Sequence, residues 1–224
     1  MNETTLENVS SLDHVTIHKS LYFLTKRVFD IFVGLIGVLF LIPLTAIIKI
    51  AYMITGDYEP IFFKQARIGK NGKTIYIYKY RSMVPNADEV LFKLLKSNDE
   101  LAKEYKKYKK LENDPRITKI GKFIRRTSID EFPQFYNVLI GDMSIVGPRP
   151  YLHRELKDMG KHYNTIIACK PGITGYWQVN GRSETDFKTR LKMDEIYYNN
   201  RGLIFDIKLF IKTFETVLGK NGAK

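Results

Sequence analysis

At 224 residues the chain is long enough for one domain with a true hydrophobic core plus an appendage. Its 36 Lys and Arg against 24 Asp and Glu leave a formal charge of +12, which suits an anionic partner: nucleic acid, an anionic membrane surface or a phosphorylated substrate. A single cysteine, Cys169, excludes an intrachain disulfide, and no Cys/His spacing of the zinc type is present, so Cys169 reads as a small packing residue.

Residues 1–25 read as an N-terminal tail on the cytoplasmic side: the first twenty or so are polar, lack apolar periodicity and contain no signal-peptide pattern. Residues 26–56 form a second unit. Ile31 to Ile48 carries no charge and is interrupted only by Gly34, Gly37, Pro43 and Thr45. As an unbroken helix that stretch reaches about 27 Å, barely the thickness of a bilayer's hydrocarbon. Pro43 removes a backbone donor past the midpoint and predicts a break in the helix. Lys19, Lys26 and Arg27 precede the stretch, and Lys49, Lys64, Arg67 and Lys70 follow it, so both flanks favour the same side. A helix that enters, breaks at Pro43 and returns satisfies both; a buried core helix is the bland alternative.

Residues 57–224 form the third unit. Ile61–Arg67 and Thr74–Tyr80 alternate as two strands, with Asn71-Gly72 supplying the hairpin turn. Lys79 and Arg81 point away from Tyr78 and Tyr80, so both can reach one site, or simply line a solvated strand face. Asn86 to Leu111 predicts one or two amphipathic helices broken near Ser97-Asn98. Lys103, Lys106, Lys107, Lys109 and Lys110 there form a solvated face or one that rests on anionic lipid. No nucleic-acid-binding module accompanies these lysines, and nucleic acid is not expected as a partner.

The centre of the chain is residues 120–150. Arg125-Arg126 precede the adjacent carboxylates Asp130 and Glu131, and Ser128 stands three before Glu131, the spacing of a capping box at a helix start. A helix N-terminus and nearby arginines would keep a carboxylate ionised, as a nucleophile or a metal ligand requires. Ordinary helix capping is the competing reading. Two prolines in Gly147-Pro-Arg-Pro150 fix the backbone around Arg149, which suits bidentate phosphate recognition; a plain surface turn is the alternative. A helix is predicted from about His153 to Tyr163, followed by the loop-rich Lys170-Pro-Gly-Ile-Thr-Gly-Tyr-Trp-Gln-Val-Asn-Gly-Arg182. Glycines there allow a backbone to approach a phosphate or base, unless the segment is only a loop packed by Trp177. Phe187 to Leu218 predicts two amphipathic helices, the second resting on the core or in a membrane interface.

Ser128-Ile-Asp-Glu-Phe-Pro-Gln134 and Asn137-Val-Leu-Ile-Gly-Asp-Met-Ser-Ile-Val-Gly-Pro-Arg-Pro150 resemble the signature of the bacterial sugar transferases, the monotopic phosphoglycosyl transferases. Gln65-Ala-Arg-Ile-Gly69, Tyr78-Lys-Tyr-Arg-Ser-Met83 and the Pro171–Arg182 block are also similar, and the resemblance runs from about Lys26 to the C-terminus. It implies an α+β fold: a mostly helical catalytic domain with a small β-hairpin, anchored on the cytoplasmic face of the inner membrane by a re-entrant helix and interfacial amphipathic helices. The family's helix often breaks at Ser-Pro; here the pair is Ile42-Pro43, without a serine hydroxyl. The resemblance further implies transfer of a sugar 1-phosphate from a UDP-sugar to undecaprenyl phosphate with release of UMP. In that reaction Asp130 is nucleophile and Mg²⁺ ligand, Glu131 assists, and Lys79, Arg125, Arg149 and Arg182 hold phosphates. The Asn86–Pro115 insert and the C-terminal ending look most like members using UDP-galactose or UDP-glucose. A homo-oligomer is compatible with the resemblance. A glycosyltransferase releasing UDP and a non-enzymatic basic membrane adaptor are the other two classes; the first lacks an Asp-x-Asp motif, and the second leaves the carboxylate pair unexplained.

Overall fold

A computed structural model describes residues 3–181 and 185–218. One long helix, α1 (Glu3–Ile54), is followed by the hairpin β1 (Phe62–Ile68) and β2 (Thr74–Tyr80). An arm of two helices comes next, α2 (Ala87–Ser97) and α3 (Asp99–Tyr108), then α4 (Lys119–Arg126) and α5 (Gln134–Ile140). The remainder contains β3 (Ser144–Val146), α6 (Leu156–Met159), α7 (Tyr163–Ile167), β4 (Gly172–Thr174) and α8 (Tyr176–Asn180), and ends with α9 (Phe187–Asn200) and α10 (Leu203–Leu218). The mostly helical architecture with a small antiparallel hairpin is the one expected.

The hairpin pairs Phe62 with Tyr80 through Ile68 with Thr74. Asn71 (φ 57°) and Gly72 (φ 77°) supply the left-handed residues its turn needs. The second sheet is a short parallel pair, Ser144 opposite Gly172 and Val146 opposite Thr174. Asn98 ends α2 and caps α3, its side chain accepting from the N–H groups of Glu100 and Leu101 at 3.0 Å each. By contrast, the helix predicted over His153–Tyr163 is divided into single turns, because Gly160 adopts φ 50°, ψ −132° in its middle.

The core has three centres: Val138, Met143 and Ile145 under the hairpin's Ile75 and Ile77; Tyr151 and Met159 with Leu191 of α9; and Tyr52, Tyr80 and Ile124 near the end of α1. Fully burying one such aliphatic side chain stabilises by roughly 1.5–3 kcal/mol.

The position of α1 relative to these centres is the fold's most informative feature. Its polar first turns are helical as well, continuing the apolar stretch at little nucleation cost. Near the start of the apolar part of α1, Arg27 donates to the carbonyls of Val138 and Leu139, both at 2.8 Å, satisfying the open C-terminus of α5. Asp30, buried, accepts from Ser144 Oγ (3.0 Å) and the Ile145 N–H (2.8 Å). Gly34 and Gly37 let the Phe135 segment of α5 come against the helix; a Cβ on Gly37 would overlap the Phe135 ring. Near the other end Ile48 and Tyr52 enter the core with Tyr80 and Ile124. The same domain therefore packs along α1 on both sides of its uncharged stretch, at Arg27–Asp30 and at Ile48–Tyr52. The predicted break at Pro43 is not a break in the helix, which continues through that residue as one element.

The outer face of α1 is apolar and exposed, including Leu24, Val28, Phe32, Leu39, Ile42 and Ile47. Over Ser20–Ile54 it is long and apolar enough to cross a membrane. Beside it lies α10, joined by the Lys26–Asp206 ion pair (2.6 Å) and an edge-on Phe29–Phe210 contact (5.2 Å). α10 buries Leu209 and Asp206 and leaves Ile204, Ile207, Ile211 and Phe214 exposed, so it combines the two alternatives, core packing on one face and an apolar exterior on the other.

Candidate active site

The carboxylate pair sits on a sharp corner. After α4 the chain turns through Ser128, a non-glycine residue at φ 58°, into one 3₁₀ turn, Ile129–Glu131. The expected capping box is absent: Ser128 makes no side-chain cap bond, and only its carbonyl takes part, accepting from the Glu131 N–H at 3.2 Å. A serine turned left-handed aims its hydroxyl away from the N–H groups it would cap. Burial and neighbouring side chains, rather than a long helix's dipole, thus set the electrostatics of Asp130.

Lys79, near the end of β2, reaches Glu131 Oε1 at 2.6 Å. Strand β2 is held in place by Asn137 of α5, which is fully buried. Its Nδ2 donates to the Tyr76 carbonyl (2.7 Å) and its Oδ1 accepts the Tyr78 N–H (3.1 Å), so one side chain completes a strand edge and sets Lys79 against the carboxylates. Arg81, expected beside Lys79, goes elsewhere: it pairs with Asp57 (2.7 Å), donates to the Pro60 carbonyl and lies over Tyr52. The strand ends at Tyr80, so its alternation no longer governs residue 81.

Arg125, exposed on α4, donates from Nε to Ser82 Oγ (2.9 Å), and its positive charge acts on Asp130. Arg149 extends from the Pro148–Pro150 turn over Trp177, 5.8 Å from its ring centre, and its charge acts on Glu131. Of the predicted phosphate ligands, Lys79, Arg125 and Arg149 therefore converge on the two carboxylates. Arg182 lies outside the described residues.

Two further arginines belong to the cluster. Arg67, 7% exposed, donates to the Pro150 carbonyl (2.9 Å), leaves its buried Nε without a partner and acts on Glu131. Arg190, 4% exposed, stacks on Trp177 from α9 at 5.0 Å. Burial and repulsion by Arg149 lower Arg67 to about 9 and Arg190 to about 10. Arginines crowded closely enough to depress one another form a ready anion site. Their only sequence signal was placement inside recognisable segments, since the contacts that define them cross 83 residues in the case of Arg67 and Pro150.

The site also separates its two carboxylates. Burial, with help from the charge of Glu131, raises Asp130 to about 6 against the restraint of Lys79 and Arg125. Burial raises Glu131 too, but the charge and hydrogen bond of Lys79, backed by Arg149 and Arg67, outweigh it and leave Glu131 below its ordinary value. Adjacent carboxylates with opposite shifts are fitted to different tasks. At neutral pH Asp130 is largely ionised yet more basic than an ordinary aspartate, whereas Glu131 stays an anion bound to Lys79. Two neighbouring carboxylates do not make a closed metal cage, and no group of three or more metal-binding side chains occurs among the described residues. They do suit Mg²⁺, which takes one or two protein carboxylates and completes its shell with phosphate oxygens and water.

Cys169 packs half-buried against the core, and burial pushes its thiol upward, which disfavours the reactive thiolate. Lys109 of the basic arm turns inward onto Asp158 (2.6 Å) and the Phe187 ring rather than outward.

Residues 21–220 match the family described as bacterial sugar transferase. Over 199 residues, 88% of this chain, the sequence is 45% identical to an undecaprenyl-phosphate galactose phosphotransferase of Salmonella typhimurium, 41% of which is covered. It is 42% identical over 98% of its length to the galactosyl transferase CpsE of Streptococcus agalactiae, covering 48% of that protein. It is 36% identical over 89% of its length to the exopolysaccharide production protein ExoY of Sinorhizobium fredii, covering 88% of that protein. The chain thus spans less than half of the first two relatives and most of the third.

Proposed function

The chain belongs to the bacterial sugar transferase family, and from that premise we propose that it moves a hexose 1-phosphate from a UDP-sugar to undecaprenyl phosphate at the cytoplasmic face of the inner membrane. The donor is UDP-galactose or UDP-glucose, and the names of the Salmonella and Streptococcus relatives favour galactose. The reaction is the first membrane step of building a polysaccharide or glycoconjugate. The observation that carries this reading is the Asp130–Glu131 pair on its 3₁₀ corner, with Lys79 bonded to Glu131 and the charges of Arg67, Arg125 and Arg149 turned on the two carboxylates.

In the first half-reaction an Asp130 carboxylate oxygen attacks the β-phosphorus of the donor. The bond from that phosphorus to the oxygen bridging the α-phosphate breaks, and UMP leaves. An aspartyl-phosphosugar remains. Arg149, with Arg67 behind it, and Arg125 hold the charge that grows on the phosphate oxygens, and Lys79 keeps Glu131 from repelling the donor. In the second half-reaction a phosphate oxygen of the carrier attacks the same phosphorus, forming a lipid-linked diphosphate sugar and freeing Asp130. A Mg²⁺ ion held by Asp130, with Glu131 nearby, would neutralise charge on the diphosphate.

Attachment to one membrane face is supported by α1, which packs against the catalytic domain at both Arg27–Asp30 and Ile48–Tyr52. A helix that crossed the bilayer would carry one of those ends to the far side. Both flanks of the apolar stretch then share one side, as the sequence suggests, with α1 unbroken at Pro43, its exposed apolar face in lipid and α10 beside it at the interface.

The test is the nucleotide released from each donor by detergent-solubilised protein with Mg²⁺ and undecaprenyl phosphate. UMP supports the proposal and the faster donor identifies the sugar. UDP means transfer of the sugar alone and overturns the mechanism.

A further inference from the structure

Helix α9 buries polar residues where a packed helix ordinarily buries apolar ones. Arg190, Asp194 and Tyr197, spaced along one face, are 4%, 0% and 1% exposed. Each meets the segment around Arg149. The single Tyr197 hydroxyl proton is shared between Asp206 Oδ1 (2.9 Å) and the Val146 carbonyl (3.2 Å). Asp194 Oδ2 accepts both the Arg149 N–H (3.2 Å) and the Tyr151 hydroxyl (2.7 Å), bracketing the Arg149–Pro150–Tyr151 turn. Arg190 stacks on the ring that Arg149 also covers. The other oxygen of Asp194 is buried without a partner, and burial raises this carboxyl to about 7. A wholly buried carboxylate with one idle oxygen costs stability, and the bonds that it does make all go to the arginine turn.

We propose that Asp194 is a positioning residue for phosphate capture: by taking the Arg149 N–H and the Tyr151 hydroxyl on one oxygen, it fixes the turn that holds the Arg149 guanidinium over Trp177. The inference rests on the reading of Arg149 as a phosphate ligand. Prolines at 148 and 150 restrict the backbone torsions of the turn but cannot choose its tilt against α9; a buried acceptor at its centre does. The conformational cost of orienting a free arginine is then met in the folded protein rather than at binding.

The experiment measures UMP affinity by calorimetry and KM and kcat for UDP-galactose, on the full chain in detergent, for Asp194→Ala, Asp194→Asn, Arg149→Ala and the double variant Asp194→Ala/Arg149→Ala. Asp194→Ala should weaken UMP binding and raise KM by about ten-fold, the loss of roughly one buried hydrogen bond, with a smaller change in kcat. Asp194→Asn keeps one acceptor oxygen and should stay within about three-fold of wild type. The double variant should bind UMP no worse than Arg149→Ala, because Asp194 acts through Arg149. If Asp194→Ala does not fold, Tyr151→Phe, which removes one of the two bonds, carries the same cycle with a smaller effect. Normal UMP affinity in folded Asp194→Ala, or losses that add fully to those of Arg149→Ala, overturns the inference while leaving Arg149's role intact. Unchanged affinity in Arg149→Ala alone removes the phosphate reading and the inference with it.

Discussion

The acid limb of the transfer reaction follows from the Asp130 carboxyl. The proposed nucleophile must be ionised to attack, and burial places this carboxyl at about 6 instead of the ordinary 3.8. A group with that pKa is about 90% ionised at pH 7, half ionised at pH 6 and about 10% ionised at pH 5, whereas an ordinary aspartate stays above about 90% ionised at pH 5. kcat/KM, which reports the free enzyme, should therefore fall on an acid limb that follows the Asp130 carboxyl and lies lower the more tightly Mg²⁺ is held there. Lys79 is the strongest charge holding Asp130 down, so Lys79→Met should move the limb toward higher pH besides lowering the plateau. Both proteins are assayed for UMP release at one saturating Mg²⁺ concentration, so that a constant shift imposed by the cation cancels in the comparison. A limb that stays in place, or that moves to lower pH, in Lys79→Met would refute the assignment of Asp130 as a buried nucleophile restrained by Lys79.

Three other substitutions probe the frame. Asn137→Ala leaves the Tyr76 carbonyl and Tyr78 N–H without their buried partner and should destabilise by about 2 kcal/mol in denaturant titration, with transfer falling further because Lys79 loses its seat. Arg116→Met leaves Asp114 as an uncompensated buried carboxylate in place of a pair bonded at 2.8 and 2.6 Å and should cost about 3–5 kcal/mol. Arg116 holds Asp114 below its ordinary value, so the pair's contribution is present above about pH 4 and is lost as pH falls through the lowered pKa. The stability difference between wild type and Arg116→Met should accordingly shrink in strong acid. Gly37→Leu drives a side chain into the Phe135 ring between α1 and α5, costing about 1–3 kcal/mol; proteolysis between α1 and the hairpin should quicken while the isolated β1–β2 pairing is untouched.

The hairpin was legible because its signals are local: strict alternation, an Asn-Gly turn and pairing partners a few residues away. The division of α2 from α3 at Asn98 was legible for the same reason, since the cap bonds two and three positions on. The carboxylate pair and three of its basic partners, Lys79, Arg125 and Arg149, were also found in the sequence, through motif resemblance more than geometry. Where the sequence misled, tertiary contacts had overridden local preference. Ser128 has the spacing of a cap, but the chain must turn a corner there and the serine adopts φ 58° instead. Arg81 follows the alternation of Lys79 on paper, yet the strand stops one residue earlier and Asp57 captures it. Pro43 reads as a break, yet the helix passes through it with the domain packed on either side. Arg67, Arg190 and Asp194 were invisible as site residues because each acquires its role from the distant 149–151 turn or from Trp177. No local pattern encodes a buried charge whose partner lies 45 residues away, as Asp194 and Arg149 are.

The central claim, that Asp130 attacks phosphorus, is tested most directly by incubating the protein with UDP-galactose labelled in its β-phosphate, without carrier lipid, and mapping the label by peptide mass spectrometry after an acid quench. The account predicts a burst of UMP of at most one per protein molecule, label on Asp130, no label in Asp130→Asn, and discharge of the labelled protein on adding undecaprenyl phosphate. Label on Glu131 instead, or carrier-dependent turnover that persists in Asp130→Asn, would contradict it.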